Sequence, residues 1–237
     1  MSPFPTVSPD DIKAVSPALA HYTADALTQA LWSRPGLSKR DRSLVTVAAL
    51  IASERSIGFA HYFARALDCG VTPAELSEIV TQVAFYAGWS TAFSASLALK
   101  SLFEDRGIGT DQLPPVSPDL LPADEALPGD AIRKAILEER FGGFVPGLVA
   151  VTNSLLYGEV WLRPGLSPRD RNLVTIVAFI AAGQMEFFGL YLDKAVRMGL
   201  TREEVAEAIT HLAFYLGWPA ALSAANAATA YFAAQAA

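Results

Sequence analysis

Residues 32–52 read WSRPGLSKRDRSLVTVAALIA, and residues 161–181 read WLRPGLSPRDRNLVTIVAFIA. Aligning Trp32 with Trp161 continues without a gap, so that Tyr62 meets Tyr191, Tyr86 meets Tyr215 and Phe103 meets Phe232. Roughly 33 of about 72 aligned positions are identical, far above chance for a fixed internal period. The match weakens upstream through Pro17/Pro146, Leu19/Leu148 and Thr23/Thr152. The chain is therefore read as a tandem duplication. The first repeat covers residues 1–106, a Pro- and Asp-rich connector 107–130, and the second repeat 131–237.

Each repeat reads as helices. Ser38 and Ser167 precede a charged turn and then an apolar run, as N-caps do. Gly70 and Gly199 are placed to end the next helix, and Thr72 and Thr201 to start the one after. Glu75 and Glu204, three residues on, complete capping boxes. No window alternates with period two, and no hairpin turn appears, so the expected fold is all-α.

Bulk properties narrow the function. Apolar residues make up 52% of the 237 and the net charge is -6, without a basic stripe, which argues against a nucleic-acid partner. Cys69, the only cysteine, excludes an intrachain disulfide and a CxxC pair and is expected to fill core space under a helix end. Residues 1–11, MSPFPTVSPDD, lack the basic-then-apolar order of a signal peptide. With the single cysteine, this points to the cytoplasm. The stretch from Asn172 to Leu192 is long enough to span a bilayer, but Gly183, Gln184 and Glu186 interrupt it. Two soluble helices and a turn are expected there, and no membrane partner.

The strings W-x-R-P-G-L, R-x-L-x-T, the G-x-T turn and Y-x-G occur in both repeats, at Trp32, Arg34–Leu37, Arg42–Leu44, Thr46, Gly70–Thr72 and Tyr86–Gly88, and again from Trp161 through Tyr215–Pro219. In these the sequence resembles the carboxymuconolactone decarboxylase family, which includes alkylhydroperoxidase-like proteins. The resemblance implies an all-helical unit that assembles into homo-oligomers, here a trimer of tandem chains or a dimer. Peroxidase-type members carry CxxC, whose positions here are Arg55 and Gly58, and Gln184 and Phe187, so thiol-dependent peroxide reduction is excluded. The His that the family keeps is Tyr62 and Tyr191 here. The decarboxylase-type Glu four residues earlier is Gly58 and Phe187, with His61 and Glu186 one residue away.

The resemblance implies a cofactor-independent enzyme acting on a small carboxylated lactone or related oxygenated acid, by decarboxylation, isomerisation or similar enolate chemistry. Such a substrate is its own electron sink. The protein must hold the carboxylate, steady an enolate and deliver a proton. Arg34, Arg42, Arg163 and Arg171 offer forks for a carboxylate. Tyr62 and Tyr191 can donate to an enolate oxygen. Glu186 is the carboxyl candidate, in an otherwise apolar stretch, and His61 and His211 are the imidazoles. Trp32, Trp161 and Gln82 complete the candidate lining.

Each candidate also has a structural reading. Arg42 and Arg171 could pair with Asp41 and Asp170, the tryptophans could staple the turn, and Glu186 could sit solvated at a helix start. His21 reads as surface. The competing function is a catalytically degenerate helical scaffold or a small-molecule binder. The segments 53–61 and 182–190 diverge most between the repeats, which suggests that one copy holds a specialised site.

Overall fold

The computed structural model describes residues 7–235, and the start of the N-terminal stretch discussed above lies outside them. Among the described residues the chain is helical throughout, without strands. The first repeat runs α1 (Pro9–Val15), α2 (Pro17–Tyr22), a π-helical stretch (Thr23–Leu31), α3 (Lys39–Ala52), α4 (Phe59–Asp68), α5 (Pro73–Ala87) and α6 (Trp89–Arg106). The connector holds α7 (Ala123–Ala126). The second repeat runs α8 (Asp130–Phe141), α9 (Pro146–Val151), a second π-helical stretch (Thr152–Leu156), α10 (Pro168–Ala182), α11 (Met185–Arg197), α12 (Arg202–Leu216) and α13 (Trp218–Gln235).

The caps are those expected. Ser38 and Ser167 accept from the backbone N–H groups of Asp41 and Asp170. Thr72 with Glu75, and Thr201 with Glu204, form complete capping boxes. Gly70 and Gly199 adopt φ of +91° and +101°, a conformation that only glycine takes without strain. His21 is exposed beside Asp25, and Cys69 is partly buried against the core.

The repeats do not stand side by side as separate cores. Central helix α3 packs against α10 and also against α12, while α10 packs against α3 and α5. Residues 41–51 of α3 are all buried, and so are 170–178 of α10. A helix covered on every face must be apolar all round, which is why this motif leads into VTVAALIA and VTIVAFIA. Where the two helices start together, Arg40 pairs with Asp170 and Glu75, and Arg169 pairs with Asp41 and Glu204. Glu75 and Glu204 thus cap one helix and anchor another.

The span from Asn172 to Leu192 breaks at Gly183, whose φ is +68°. No helix among the described residues is long and apolar enough to cross a membrane. The connector is held at several points. Leu121 N–H donates to the Leu162 carbonyl (2.8 Å), Ala126 and Leu127 are buried, and Arg163 donates to the carbonyls of Pro115 and Val116.

Glu54 is the only described non-glycine residue with positive φ, at 54°, and it aligns with Gly183. Left-handed backbone costs an L-residue about 1–2 kcal/mol, and glycine gives back part of that in chain entropy. Glu54→Gly, the choice the second repeat already makes, is expected to raise stability by about 0.5–1 kcal/mol in urea unfolding.

Candidate functional site

The turn W-x-R-P-G-L of each repeat meets the capping-box helix of the other repeat, so two related polar clusters form. In the first, Arg42 is fully buried and donates to Glu207 Oε1 (2.8 Å) and to the Arg34 carbonyl (2.7 Å). Arg34 grips the same carboxylate with both arms of its fork, at 2.8 and 3.1 Å. In the second, Arg171 donates to Glu78 Oε2 (2.9 Å) and to the Arg163 carbonyl (2.8 Å), while Arg163 donates to Glu78 Oε1 (2.8 Å). Burial raises the Glu207 pKa, but the hydrogen bonds from Arg34 and Arg42 outweigh it and hold it below the usual range. Burial lowers the Arg171 pKa against the pull of Glu78.

All four arginines proposed from sequence as carboxylate forks are therefore engaged by glutamates of the opposite repeat. Their partners are Glu207 and Glu78, not the neighbouring Asp41 and Asp170. Neither glutamate stood out in the sequence, although the two align, each six residues after the capping Thr72 or Thr201.

His211 and Gln82 do one job in two ways. Thr46 Oγ1 gives its proton to the Arg42 carbonyl (2.8 Å), so it accepts from His211 Nε2–H at 2.8 Å. Nδ1 is then the free acceptor, 3.4 Å from the Arg42 guanidinium. In the second cluster the Gln82 amide N–H donates to Thr175 Oγ1 (3.0 Å), and its carbonyl accepts from Arg171 (2.9 Å). A neutral imidazole and a carboxamide thus present the same donor and acceptor. Both residues are completely buried.

The aromatic halves of the clusters differ. Trp32 Nε1 donates to the Tyr215 hydroxyl (2.9 Å), the Tyr62 ring lies 5.2 Å from that of Tyr215, and the Arg65 guanidinium stacks 3.7 Å over Trp32. Arg55 closes this side by donating to the Tyr215 carbonyl. In the second cluster Trp161 Nε1 donates to the Tyr86 hydroxyl (2.9 Å), which is 3.4 Å from the Tyr191 hydroxyl. Tyr191 is in turn 2.8 Å from the Tyr157 hydroxyl, and Lys194 Nζ donates to Tyr157 at 3.3 Å. Burial first, then the neighbouring hydroxyls, raises the pKa values of Tyr86 and Tyr157, so both stay protonated. Arg133 stacks 3.8 Å over Tyr157 while paired with Asp130 and bonded to Asn153.

Tyr62 and Tyr191 thus lie in aromatic clusters with Trp32 and Trp161. Glu186 is exposed in the first turn of α11, and His61 is exposed with its ring against Tyr62. The apolar sequence around Glu186 does not bury it, because Phe188 and Leu192 face the core and Glu186 does not. Tyr157, Lys194 and Arg133 went unnoticed in the sequence. The available signal was unlikeness between the repeats: Tyr157 aligns with Thr28, and Lys194 with Arg65.

The sequence model of the Carboxymuconolactone decarboxylase family matches residues 17–101 and again 146–230. A 4-carboxymuconolactone decarboxylase of Acinetobacter baylyi is 38% identical over 76 residues, 32% of this chain and 57% of that protein. A nitrosuccinic acid decarboxylase of Metarhizium robertsii is 35% identical over 79 residues, 33% of this chain and 54% of that protein. The chain spans little more than half the length of these curated relatives.

Burial and the nearby guanidiniums of Arg42 and Arg65 push the His211 pKa down to about 3. An unfolded His titrates near ~6.5, so between that pH and 3 the unfolded chain binds a proton that the folded chain refuses. Stability is unaffected by this group above pH 6.5 and falls by up to about 1.4 kcal/mol per pH unit below it. His211→Gln, which copies Gln82, is expected to keep neutral-pH stability within about 1 kcal/mol and to flatten this acid slope. Urea unfolding at pH 7, 5 and 4 measures both.

Proposed function

The chain belongs to the carboxymuconolactone decarboxylase family, and from that premise we propose that it is a decarboxylase-type enzyme whose reactive site is the second aromatic cluster. Its substrate is a small carboxylated lactone or related oxygenated acid, and the reaction passes through an enolate without a cofactor. One observation carries this reading. Three tyrosine hydroxyls, an indole N–H and a lysine converge around Tyr191, the position at which the family resemblance expects its histidine.

Buried phenols that stay protonated are suited to donate to an oxygen as it gains charge. In a dry site they need no reorganisation when the charge develops. Arg163, Arg171, Glu78 and Gln82 then act behind the reacting groups, fixing the turn that carries Trp161. In the first cluster Trp32 donates to the Tyr215 hydroxyl, Arg65 stacks over Trp32 and Arg55 ties down the Tyr215 carbonyl, which supports a structural role for that half. The degenerate-scaffold reading thus fits one half of the molecule, and the enzyme reading the other.

Exposed Trp89, Phe93 and Leu97 share a face of α6, and Trp218 and Leu222 do so on α13. These stripes support self-association as a dimer or trimer.

Wild-type protein is expected to release CO2 from at least one member of a panel that includes 4-carboxymuconolactone and nitrosuccinic acid. Tyr191→Phe removes the hydroxyl joining Tyr86 to Tyr157 and is expected to lower kcat by about 10²–10³. An unchanged kcat in this variant places the chemistry elsewhere.

A further inference from the structure

Lys194 stands apart from the other cations of the second cluster. Arg171 and Arg163 share Glu78, and Arg133 is paired with Asp130. Among the described residues, Lys194 has no carboxylate within ion-pair distance. Its ammonium lies instead 4.5 Å from the Tyr157 ring centre, 5.3 Å from that of Tyr191 and 5.6 Å from that of Trp161. The charged groups around it are Arg133 and Asp130 from α8 and Arg197 on its own helix. The phenols of Tyr157 and Tyr191 face it across the cluster.

The ring faces and Asp130 favour the ammonium, while burial and the like charge of Arg133 make it give up its proton more readily. Burial and then Arg133 bring the Lys194 pKa down to about 8, with Asp130 pulling the other way. The aligned residue in the first repeat is Arg65. A guanidinium cannot exchange a proton near neutrality, and a lysine in this setting can. The two halves of the molecule therefore carry the same charge at this position and differ in acid–base capacity.

A cavity of about 20 Å³ adjoins the amine, lined by Leu127, Asp130, Asn172 and Lys194 among others. It has room for about one water. Asn172 Oδ1 is buried without a hydrogen-bond partner. An unsatisfied acceptor among the polar groups in the wall of this largely apolar cavity is a docking point for water, next to the amine that must be reprotonated.

We propose that Lys194 is the acid of the decarboxylation, delivering a proton to the enolate formed when CO2 leaves its carbon, and this rests on the decarboxylase reading above. The bond from that carbon to the carboxylate breaks, its electron pair passes into the conjugated carbonyl, and CO2 departs. The enolate oxygen accepts hydrogen bonds from the Tyr157 and Tyr191 hydroxyls. The enolate then collapses, its carbon takes the ammonium proton, and Lys194 is left as the neutral amine. Solvent returns the proton through the cavity at Asn172. One carboxylate and one proton become CO2 and a C–H product, so no other reactant is needed. A substrate is larger than the cavity, so its binding displaces part of the cavity wall, of which Ala126–Pro128 of the connector form one side.

The test compares wild type with Lys194→Arg on the panel acid that wild type decarboxylates. Arginine keeps the positive charge and reproduces the first repeat's residue, but it cannot release a proton. The expected result is a kcat lower by about 10²–10⁴ with KM changed less than about threefold. The alkaline fall of kcat centred near pH 8 in the wild type should also disappear. If Lys194→Arg does not fold by thermal melt, Lys194→Gln, which removes the charge as well as the proton, is read on kcat alone, and a kcat within about threefold of wild type overturns the role. A kcat retained within about threefold, or an alkaline limb unchanged, overturns the role of Lys194 while the decarboxylase reading stands. No CO2 release by wild type from any panel acid sinks both.

Discussion

The structure depends on two buried arginine–glutamate contacts that cross between the repeats. Arg42 and Arg171 are wholly inside the protein, where an unpaired guanidinium would be intolerable. Each is met by a glutamate from the opposite repeat, and each also ties down a carbonyl of its own Pro-Gly turn. Removing one partner of such a pair typically costs 3–5 kcal/mol, because the survivor keeps its desolvation penalty. Neither repeat contains its own counter-ion. The charge requirement therefore forces the α3–α12 and α10–α5 packing, and with it a shared core in place of two.

On that reciprocal frame the two halves have kept their donors and acceptors where the residue types differ, and have diverged further at the aromatic ends. The Thr46–His211 and Gln82–Thr175 pairs differ in residue type and agree in donor and acceptor, because both must satisfy a buried arginine. The aromatic ends are under no such demand. One is closed by Arg55 and Arg65. The other collects Tyr157, Lys194 and Arg133 and is roofed by Ala126 and Leu127 of the connector. These last elements enter asymmetrically, since the connector joins the repeats once.

Much of the fold was legible in the sequence. Ser38, Thr72 and Gly70, with their copies, act through backbone groups a few residues away, so local spacing suffices to find them. The candidate site was legible only in part. The arginines were recognisable as important, but their partners were not, because Glu78 and Glu207 lie far along the chain and look like ordinary helix-face carboxylates. Glu186 looked buried from its apolar neighbours, yet helical rotation turns it outward while Phe188 turns in. Lys194 did not stand out, because the rings and charges that surround it are set by packing.

Repetition, capping and apolar patterning are properties of short stretches, and the sequence alone determined the all-α duplicated architecture through them. Which charges neutralise each other, and which one is left without a counter-ion, depends on groups 85 to 173 residues apart meeting in a medium of low dielectric. The π-helical turn at Thr152–Leu156 that precedes Tyr157, the connector folded onto Trp161, and the ammonium of Lys194 among three aromatic rings exist only once the chain has packed. Desolvation converts that packing into chemistry, and desolvation is a property of the tertiary structure.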